Sequence, residues 1–540
     1  MRQAENTDAG RNPRRGRLLA VTRTGTVRGV EGLLIRVEVD LQRADQSSFR
    51  TVGLPDAVIR EAQLRVKAAL RNSGFHVPPG HVVVNLAPAG VRKEGAGFDL
   101  AVALGILAAT GMAPRHRLAD TLLLGELALD GSLRPVPGGL PIAWEAAAAG
   151  MRSAIVHPEN AAEAAMAPGI RVHPAVSLHA AADLLATPEL PPPFRPSGET
   201  RAVSRTGVDL AQVRGQPRAR RALEIAAAGA HNLLFTGPPG SGKTLLVGIL
   251  PDLLPGLSPE QAMDVARIRS AIGQPLSAPP SRPPFRAPHH TISYAGMAGG
   301  GPGPRPGEVT LAHHGVLFLD ELPEFQRPVL ECLRQPLESG DIHVGRVRHS
   351  VRFPASFQLA AAMNPCPCGY HGEGGRPCRC PPAFVARYRS RISGPLLDRV
   401  DLHLTVRPVT SGDVLGPVTG ETTATVRERV RLARHVRAER FRTAGTAARM
   451  SILEVKAASG SGPFRSLVSW AMDGLGMSAR GVTRAFRVAR TIADLAGSGP
   501  IEPLHFEEAI QFRAAADLSE PGDPGYSSRA SEARKTEGNR

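Results

Sequence analysis

Residues 232–250 read Asn232-Leu233-Leu234-Phe235-Thr236-Gly237-Pro238-Pro239-Gly240-Ser241-Gly242-Lys243-Thr244 and then Leu245-Leu246-Val247-Gly248-Ile249-Leu250. An apolar run short enough to be a buried strand enters a Gly-rich turn, and the apolar residues after Thr244 continue as a helix. Glycines suit such a turn because it wraps phosphates with its N–H groups pointing inward, where a Cβ would obstruct. Gly237, Pro238, Pro239, Gly240, Ser241, Gly242, Lys243 and Thr244 are therefore the candidate triphosphate cradle. In it, Lys243 bridges the β- and γ-phosphates and the Thr244 hydroxyl ligates Mg²⁺.

Working outward, Val316-Leu317-Phe318-Leu319 ends at Asp320-Glu321, and Leu359-Ala360-Ala361-Ala362-Met363 ends at Asn364-Pro365. Short continuous apolar runs of this kind are strands buried on both faces of a parallel sheet, with the site at their C-terminal ends. Asp320 can then hold Mg²⁺ through water, Glu321 can polarise the attacking water, and Asn364 can contact the γ-phosphate. Taken alone, the Asp-Glu pair would also serve as a helix N-cap with an acidic first turn, and Asn-Pro as a turn.

The rest of the chain is organised around this core. With 540 residues it should hold about three or four domains. Residues 1–17 and 519–540 are polar and lack hydrophobic periodicity, and both are expected to be disordered tails. Strand-like runs (33–41, 81–86) alternate with helical ones (56–73, 99–110) over 18–186, which predicts an α/β domain. Five prolines between 188 and 196 make 187–205 a stiff linker. A nucleotide-binding α/β core is expected over 206–408, and helical periodicity over 409–518 predicts a C-terminal helical lid with main segments 427–441, 478–496 and 503–516. The fold class is thus α/β multidomain.

Lys and Arg number 65 against 49 Asp and Glu, a net +16, which favours a polyanionic partner and nucleic acid above all. Aromatic residues make up only 4%, so contacts to the phosphate backbone rather than base stacking would have to dominate. The longest apolar stretch, 100–112, is too short to span a bilayer, and the basic segment 1–17 has no apolar core of a signal peptide. A cytoplasmic location without membrane association is expected. Four of the five cysteines form Cys366-x-Cys368-x₉-Cys378-x-Cys380. Four thiolates can complete a closed tetrahedral zinc site with a structural role. Ligand pairs are usually separated by two or more residues, so a reduced or redox-labile cluster is the alternative.

The phosphate loop, Asp-Glu strand and sensor Asn in this order resemble an AAA+ ATPase. Arg286-Ala287-Pro288-His289-His290-Thr291, Pro306-Gly307-Glu308, Leu311-Ala312-His313 and Ser393-Gly394-Pro395-Leu396-Leu397-Asp398-Arg399 resemble the YifB/ComM family, often called magnesium-chelatase-like, over about 25–516. The resemblance implies a ring, expected to be a hexamer, with ATP bound between neighbours. Arg399 matches the position of the arginine finger in the related MCM helicases; a structural role beside Asp398 or Asp401 is the alternative, and Arg391 competes for the finger role. Arg480, which opens a helix carrying Arg484, Arg487 and Arg490, is similar to the family's second sensor; the other three can equally be a solvated face. Residues 342–353 alternate as a hairpin with a basic tip. In related ring motors a hairpin here enters the central pore, so Arg346, Arg348 and His349 become candidate DNA contacts, although an ordinary exposed hairpin of a basic protein would look the same.

Lys93-Glu94-Gly95-Ala96-Gly97-Phe98-Asp99-Leu100, Gly125-Glu126-Leu127 and Val136-Pro137-Gly138-Gly139-Leu140 resemble the proteolytic domain of Lon, a fold like domain 2 of ribosomal protein S5. Lon chemistry needs a Ser nucleophile beside its Ala-Gly pair and a Lys after Gly-Gly-Leu. Here Gly95 precedes Ala96 and Pro141 follows Leu140, so no protease activity is expected. The family resemblance implies an ATP-driven DNA motor that performs unwinding or branch migration on single-stranded or branched DNA during recombination or natural transformation. A magnesium-chelatase-type motor subunit that drives metal insertion with a partner protein is the alternative; it would need a partner that carries the substrate.

Overall fold

In the computed structural model, the described residues are 19–53, 57–88, 93, 95, 97–196, 207–301, 303–346, 349–372, 376–417, 420–441 and 462–513. The two expected tails and Arg348 lie outside them. The chain divides into two compact units, one formed by residues up to 200 together with 266–280, the other by 201–265 and 281 onward.

The first unit is built on a seven-stranded mixed sheet. Its strands run in the order Ser48–Val52, Gly80–Ala87, Glu31–Arg43, Leu19–Arg28, Thr121–Leu124, Ser153–Val156 and Arg171–Pro174. Antiparallel pairing joins Leu19–Arg28 to Glu31–Arg43 and the latter to Gly80–Ala87, while the other neighbours are parallel. The helix Asp99–Thr110 (Asp-Leu-Ala-Val-Ala-Leu-Gly-Ile-Leu-Ala-Ala-Thr) is buried all round from Asp99 to Ala109, as its lack of a polar face requires. Asp99 opens it inside the core, where the Arg65 guanidinium meets both carboxylate oxygens at 2.9 and 3.2 Å. Burial still raises the Asp99 carboxyl to about 6 against the pull of Arg65. Within this unit the segment 266–280 is tied down by Ser270, whose carbonyl accepts from the Gly138 N–H at 2.9 Å and whose hydroxyl accepts from the Leu140 N–H at 3.2 Å.

The second unit carries the parallel sheet expected from the three apolar runs, and adds two strands to them. The order is Phe285–Arg286, Val316–Leu319, Gln358–Met363, Leu233–Thr236 and Leu402–Thr405, every neighbouring pair parallel. Because all strands point one way, Gly237, Asp320 and Asn364 leave the sheet along the same edge. The helices Pro217–Gly229 and Lys243–Leu253 bury their apolar faces against the sheet, and Thr423–Phe441, Gly462–Ser469, Ala479–Leu495 and Pro503–Gln511 share the same continuous core. In that core Phe486 stacks on Phe506 with ring centroids 4.1 Å apart, and Phe464 closes the cluster at 5.7 Å from Phe486. Among the described residues, no helix is long and apolar enough to cross a membrane.

Candidate functional site

The strand Leu233–Thr236 ends where Gly240 and Gly242 adopt φ of 76° and 86°, the left-handed region that a side chain would make costly, and the helix Lys243–Leu253 starts directly after. That geometry returns Lys243 over the loop, where its Nζ donates to the carbonyls of Gly237 and Pro238, both at 2.8 Å, and to Oδ1 of Asn364 at 3.2 Å. The ammonium is thereby held at the mouth of the loop beside the end of the strand Gln358–Met363. The Gly237 N–H donates to the Met363 carbonyl at 3.2 Å, which locks loop and strand end together. Ser241 Oγ is buried with no hydrogen-bond partner among the described residues. A buried hydroxyl of that kind fits a cradle for phosphate oxygens.

Thr244 Oγ1 donates to Asp320 Oδ2 at 2.7 Å. Two hard oxygen donors side by side, next to the candidate phosphate cradle, fit Mg²⁺, which is bound by one or two protein oxygens and otherwise by phosphates and water. Asp320 Oδ1 accepts from the Glu321 N–H at 2.9 Å. Glu321 itself has φ of 53°, a left-handed conformation that costs a non-glycine residue about 1–3 kcal/mol. Its Oε2 lies 3.4 Å from Nδ1 of His290, whose ring sits against His289 at 4.1 Å between centroids. His289-His290 follow the edge strand Phe285–Arg286, and Arg286 grips Glu308 through two bonds of 2.6 and 2.7 Å. So the Arg-Ala-Pro-His-His-Thr and Pro-Gly-Glu motifs meet, and the first supplies a neighbour to Glu321. In the sequence His290 stands out only as part of the Arg-Ala-Pro-His-His-Thr motif, with no role attached to it.

The two arginines considered for the finger are held differently. Arg391 donates to the Pro323 carbonyl at 3.1 Å and pairs with Glu324 at 2.8 Å, beside Glu321 in sequence. Arg399 pairs with Glu338 and with the Pro395 carbonyl. Its own carbonyl accepts from Asn232 Nδ2 at 2.8 Å, which places it at the start of the strand Leu233–Thr236 and not at the end that carries the phosphate loop. Nearby, Asp401 is buried. Desolvation pushes its carboxyl up, but His231, Arg484 at 2.9 Å and the Asn232 N–H outweigh it and hold the carboxyl well below the usual range.

Arg480 is exposed in the first turn of the helix Ala479–Leu495, whose N-cap is Ser478. The other arginines of that helix are not simply a solvated face, since Arg484 joins Asp401 and Arg490 bonds Asp494 at 2.8 Å and the Ser498 and Gly499 carbonyls. The basic hairpin forms from Asp341–Arg346 and His349–Pro354, with Arg346 opposite His349. The Sγ atoms of Cys366, Cys368, Cys378 and Cys380 all lie within 4.8 Å of one another.

On the strand Leu402–Thr405, burial and the Arg513 charge push His403 down to about 4, and its Nε2 meets the Val400 carbonyl at 3.2 Å, so the neutral ring donates there. An unfolded histidine titrates near 6.5. Below that value the unfolded chain binds a proton that the folded one refuses, so this stability is fully present above about 6.5 and is lost as pH falls toward 4. Urea melts are expected to show the wild type losing about 2 kcal/mol more than His403→Gln between pH 7 and pH 5. Equal losses in the two proteins would contradict this.

Comparison with known proteins agrees with this architecture. Residues 209–414 match the family "Magnesium chelatase, subunit ChlI", 37–160 match "Subunit ChlI of Mg-chelatase" and 420–513 match "Magnesium chelatase, subunit ChlI C-terminal". The chain is 41% identical over 508 residues to competence protein ComM of Haemophilus influenzae, covering 93% of this chain and 98% of that one. It is 41% identical over 514 residues to YifB of Escherichia coli, covering 92% and 97%. To a protein of Mycobacterium tuberculosis it is 42% identical over 505 residues, covering 90% and 97%. The phosphate loop, the Asp-Glu strand and the motifs joined by Arg286 and Glu308 therefore stand in a chain that belongs to the YifB/ComM family of magnesium-chelatase-like AAA+ proteins.

Proposed function

We propose that this protein is a ring-forming, ATP-hydrolysing DNA motor of the cytoplasm, acting in unwinding or branch migration on single-stranded or branched DNA in recombination or natural transformation. The observation that carries the ATPase reading is the convergence of Lys243, Asn364, Thr244, Asp320 and Glu321 on one edge of the parallel sheet. Lys243 and the loop bind the triphosphate, Thr244 and Asp320 hold Mg²⁺, Asn364 orients the γ-phosphate side and Glu321 accepts the proton of the attacking water. The bound Mg²⁺ supplies neutralisation of the phosphate charge. Arg399 acts on the site of the neighbouring subunit of a hexamer, and Arg480 acts as second sensor. The helices from 423 onward serve as the lid. The first unit is read as a Lon-type, S5-like fold that works in assembly or DNA contact.

The DNA reading draws on the net charge of +16, on the hairpin Asp341–Arg346/His349–Pro354 with its arginines and histidine, and on a relative named for competence. The chelatase-type motor is kept as the second reading because all three matching families carry that enzyme's name. One experiment separates them: the ATPase rate with and without single-stranded, duplex and forked DNA. Stimulation of several-fold, reduced in Arg346→Ala/Arg348→Ala, supports the DNA motor. An ATPase indifferent to all three DNAs, with no DNA binding at low salt where phosphate contacts are strongest, rejects it. The cysteine cluster is assigned as a structural zinc site.

A further inference from the structure

The strand Gln358–Met363 does two things on leaving the sheet. It delivers Asn364 to Lys243, and two residues later it delivers Cys366, fully buried, to the cysteine cluster. Three Sγ···Sγ separations are 3.3 Å (Cys366 to Cys368), 3.7 Å (Cys366 to Cys378) and 3.6 Å (Cys368 to Cys378). Thiolates at a Zn–S distance near 2.3 Å in a tetrahedron stand about 3.8 Å apart, whereas a disulfide would bring two of them to about 2.05 Å. The short C-x-C spacing is therefore no obstacle, because the chain turns sharply between the first pair: the Gly369 N–H donates to the Cys366 carbonyl at 3.0 Å, with Gly369 at φ of 87°.

That turn lies directly on the phosphate loop. A Cβ added to Gly369 would stand 2.4 Å from Cδ of Pro239, and Pro239 is the third residue of the triphosphate cradle. From the other side, Arg389 Nε donates to the Pro365 carbonyl at 3.2 Å. The cysteine loop is thus pressed against Pro239, with the Asn364–Lys243 bond and the Gly237–Met363 bond beside it.

We infer that the cluster Cys366, Cys368, Cys378 and Cys380 binds one zinc ion whose task is to clamp the phosphate loop, so that nucleotide binding depends on the metal. The inference rests on the nucleotide-site reading above and adds a regulator of that site. Its physical basis is loop entropy. Without a crosslink, the described stretches 366–372 and 376–380 have to be ordered by their own weak contacts, at roughly 1–2 kcal/mol per residue of backbone; with four Zn–S bonds that order is imposed. The wall behind Pro239 then stands ready when the triphosphate arrives, and less of the binding free energy is spent on ordering it.

The test uses the full-length protein purified under reducing conditions without chelator. Elemental analysis is expected to find about one zinc per chain in the wild type and less than a fifth of that in Cys378→Ser/Cys380→Ser. Fluorescence titration with N-methylanthraniloyl-ATP in excess Mg²⁺ is expected to show at least a fivefold weaker Kd after zinc is stripped with a zinc-selective chelator, and recovery when zinc alone is restored. Gly369→Ala provides the variant that keeps all four ligands: it should retain zinc and fold, by circular dichroism and melting, yet bind the analogue several-fold more weakly, because its methyl collides with Pro239 and the left-handed φ of 87° strains the turn on the loop. Zinc near zero in the wild type would overturn the metal site. Full zinc with an unchanged Kd in both the stripped protein and Gly369→Ala would overturn the clamp. If stripping unfolds the protein, the single variant Cys380→Ser decides: a folded, zinc-depleted Cys380→Ser chain with a wild-type Kd would overturn the clamp. A zinc-loaded wild type that fails to bind the analogue at all would sink the nucleotide reading and the clamp together, leaving only the metal site.

Discussion

Replacing Glu321 by Gln should lower kcat for ATP hydrolysis by about 10²–10⁴-fold, the range expected when a positioned proton acceptor is lost, while Kd for the nucleotide stays within a few-fold. The substitution keeps shape and removes only the carboxylate. The bonds that build the binding side do not pass through that group: Lys243 is held by Gly237, Pro238 and Asn364, and Thr244 by Asp320. Even the contact between Asp320 and Glu321 uses the Glu321 main-chain N–H, which the variant retains. What disappears is the acceptor for the proton of the attacking water, together with the charge facing His290 at 3.4 Å. In free energy the expected loss is about 3–5 kcal/mol of barrier. Steady-state turnover measured beside an equilibrium titration checks both halves of the expectation. A kcat within threefold of the wild type would remove Glu321 from the chemistry, and a Kd weakened in step with kcat would mean that its role is to bind.

The candidate site is legible in the sequence because each of its parts sits at the end of a locally patterned element. Three to five consecutive apolar residues followed by Thr236-Gly237, Asp320 or Asn364 specify a strand and the residue at its end without reference to the rest of the chain. The parallel sheet follows from such strands. The edge strand Phe285–Arg286 did not show, since two residues carry no periodicity, and Leu402–Thr405, with a buried His403 in it, breaks the apolar pattern that marks the others. Contacts between distant segments were equally out of reach. Arg484 and Arg490 fall at helical spacing that suits a solvated face, and only the fold shows Arg484 committed to Asp401, 83 residues away. The seat of Gly369 on Pro239 joins positions 130 apart through van der Waals contact alone, a type of interaction that leaves no residue-type signature. His290 was visible as part of a family motif, but its approach to Glu321 depends on the left-handed backbone at that glutamate, which no residue type announces.

Arg399→Ala is expected to reduce ATP turnover of the assembled protein by about 10³–10⁵-fold, the effect of removing an arginine finger, with nucleotide affinity of the single chain nearly unchanged. The direction of the sheet argues that the finger serves a neighbour. Leu233 pairs with Leu402 and Thr236 with Thr405, so Arg399, which precedes that strand and bonds Asn232, lies at the opposite end of the strand Leu233–Thr236 from Gly237. Four residues of strand put roughly 13 Å of sheet between the two ends, too far for the guanidinium to bridge to its own phosphate loop. Arg391 is a weaker choice, tethered by Glu324 and the Pro323 carbonyl beside its own Glu321. In the isolated chain the Arg399 guanidinium pairs with the exposed carboxylate of Glu338 while the rest of its side chain is largely buried, so serving a neighbour requires it to leave that carboxylate for a phosphate. Loss of activity alone would not distinguish a finger from a structural arginine; mixing does. Arg399→Ala chains keep an intact phosphate loop, and Lys243→Ala chains keep Arg399, so a site formed between one of each is complete. Each variant alone should be inactive, while an equal mixture should recover a clear fraction of wild-type turnover that rises with protein concentration. A mixture as inactive as its components would place Arg399 within its own subunit's structure and return the search for the finger to Arg391.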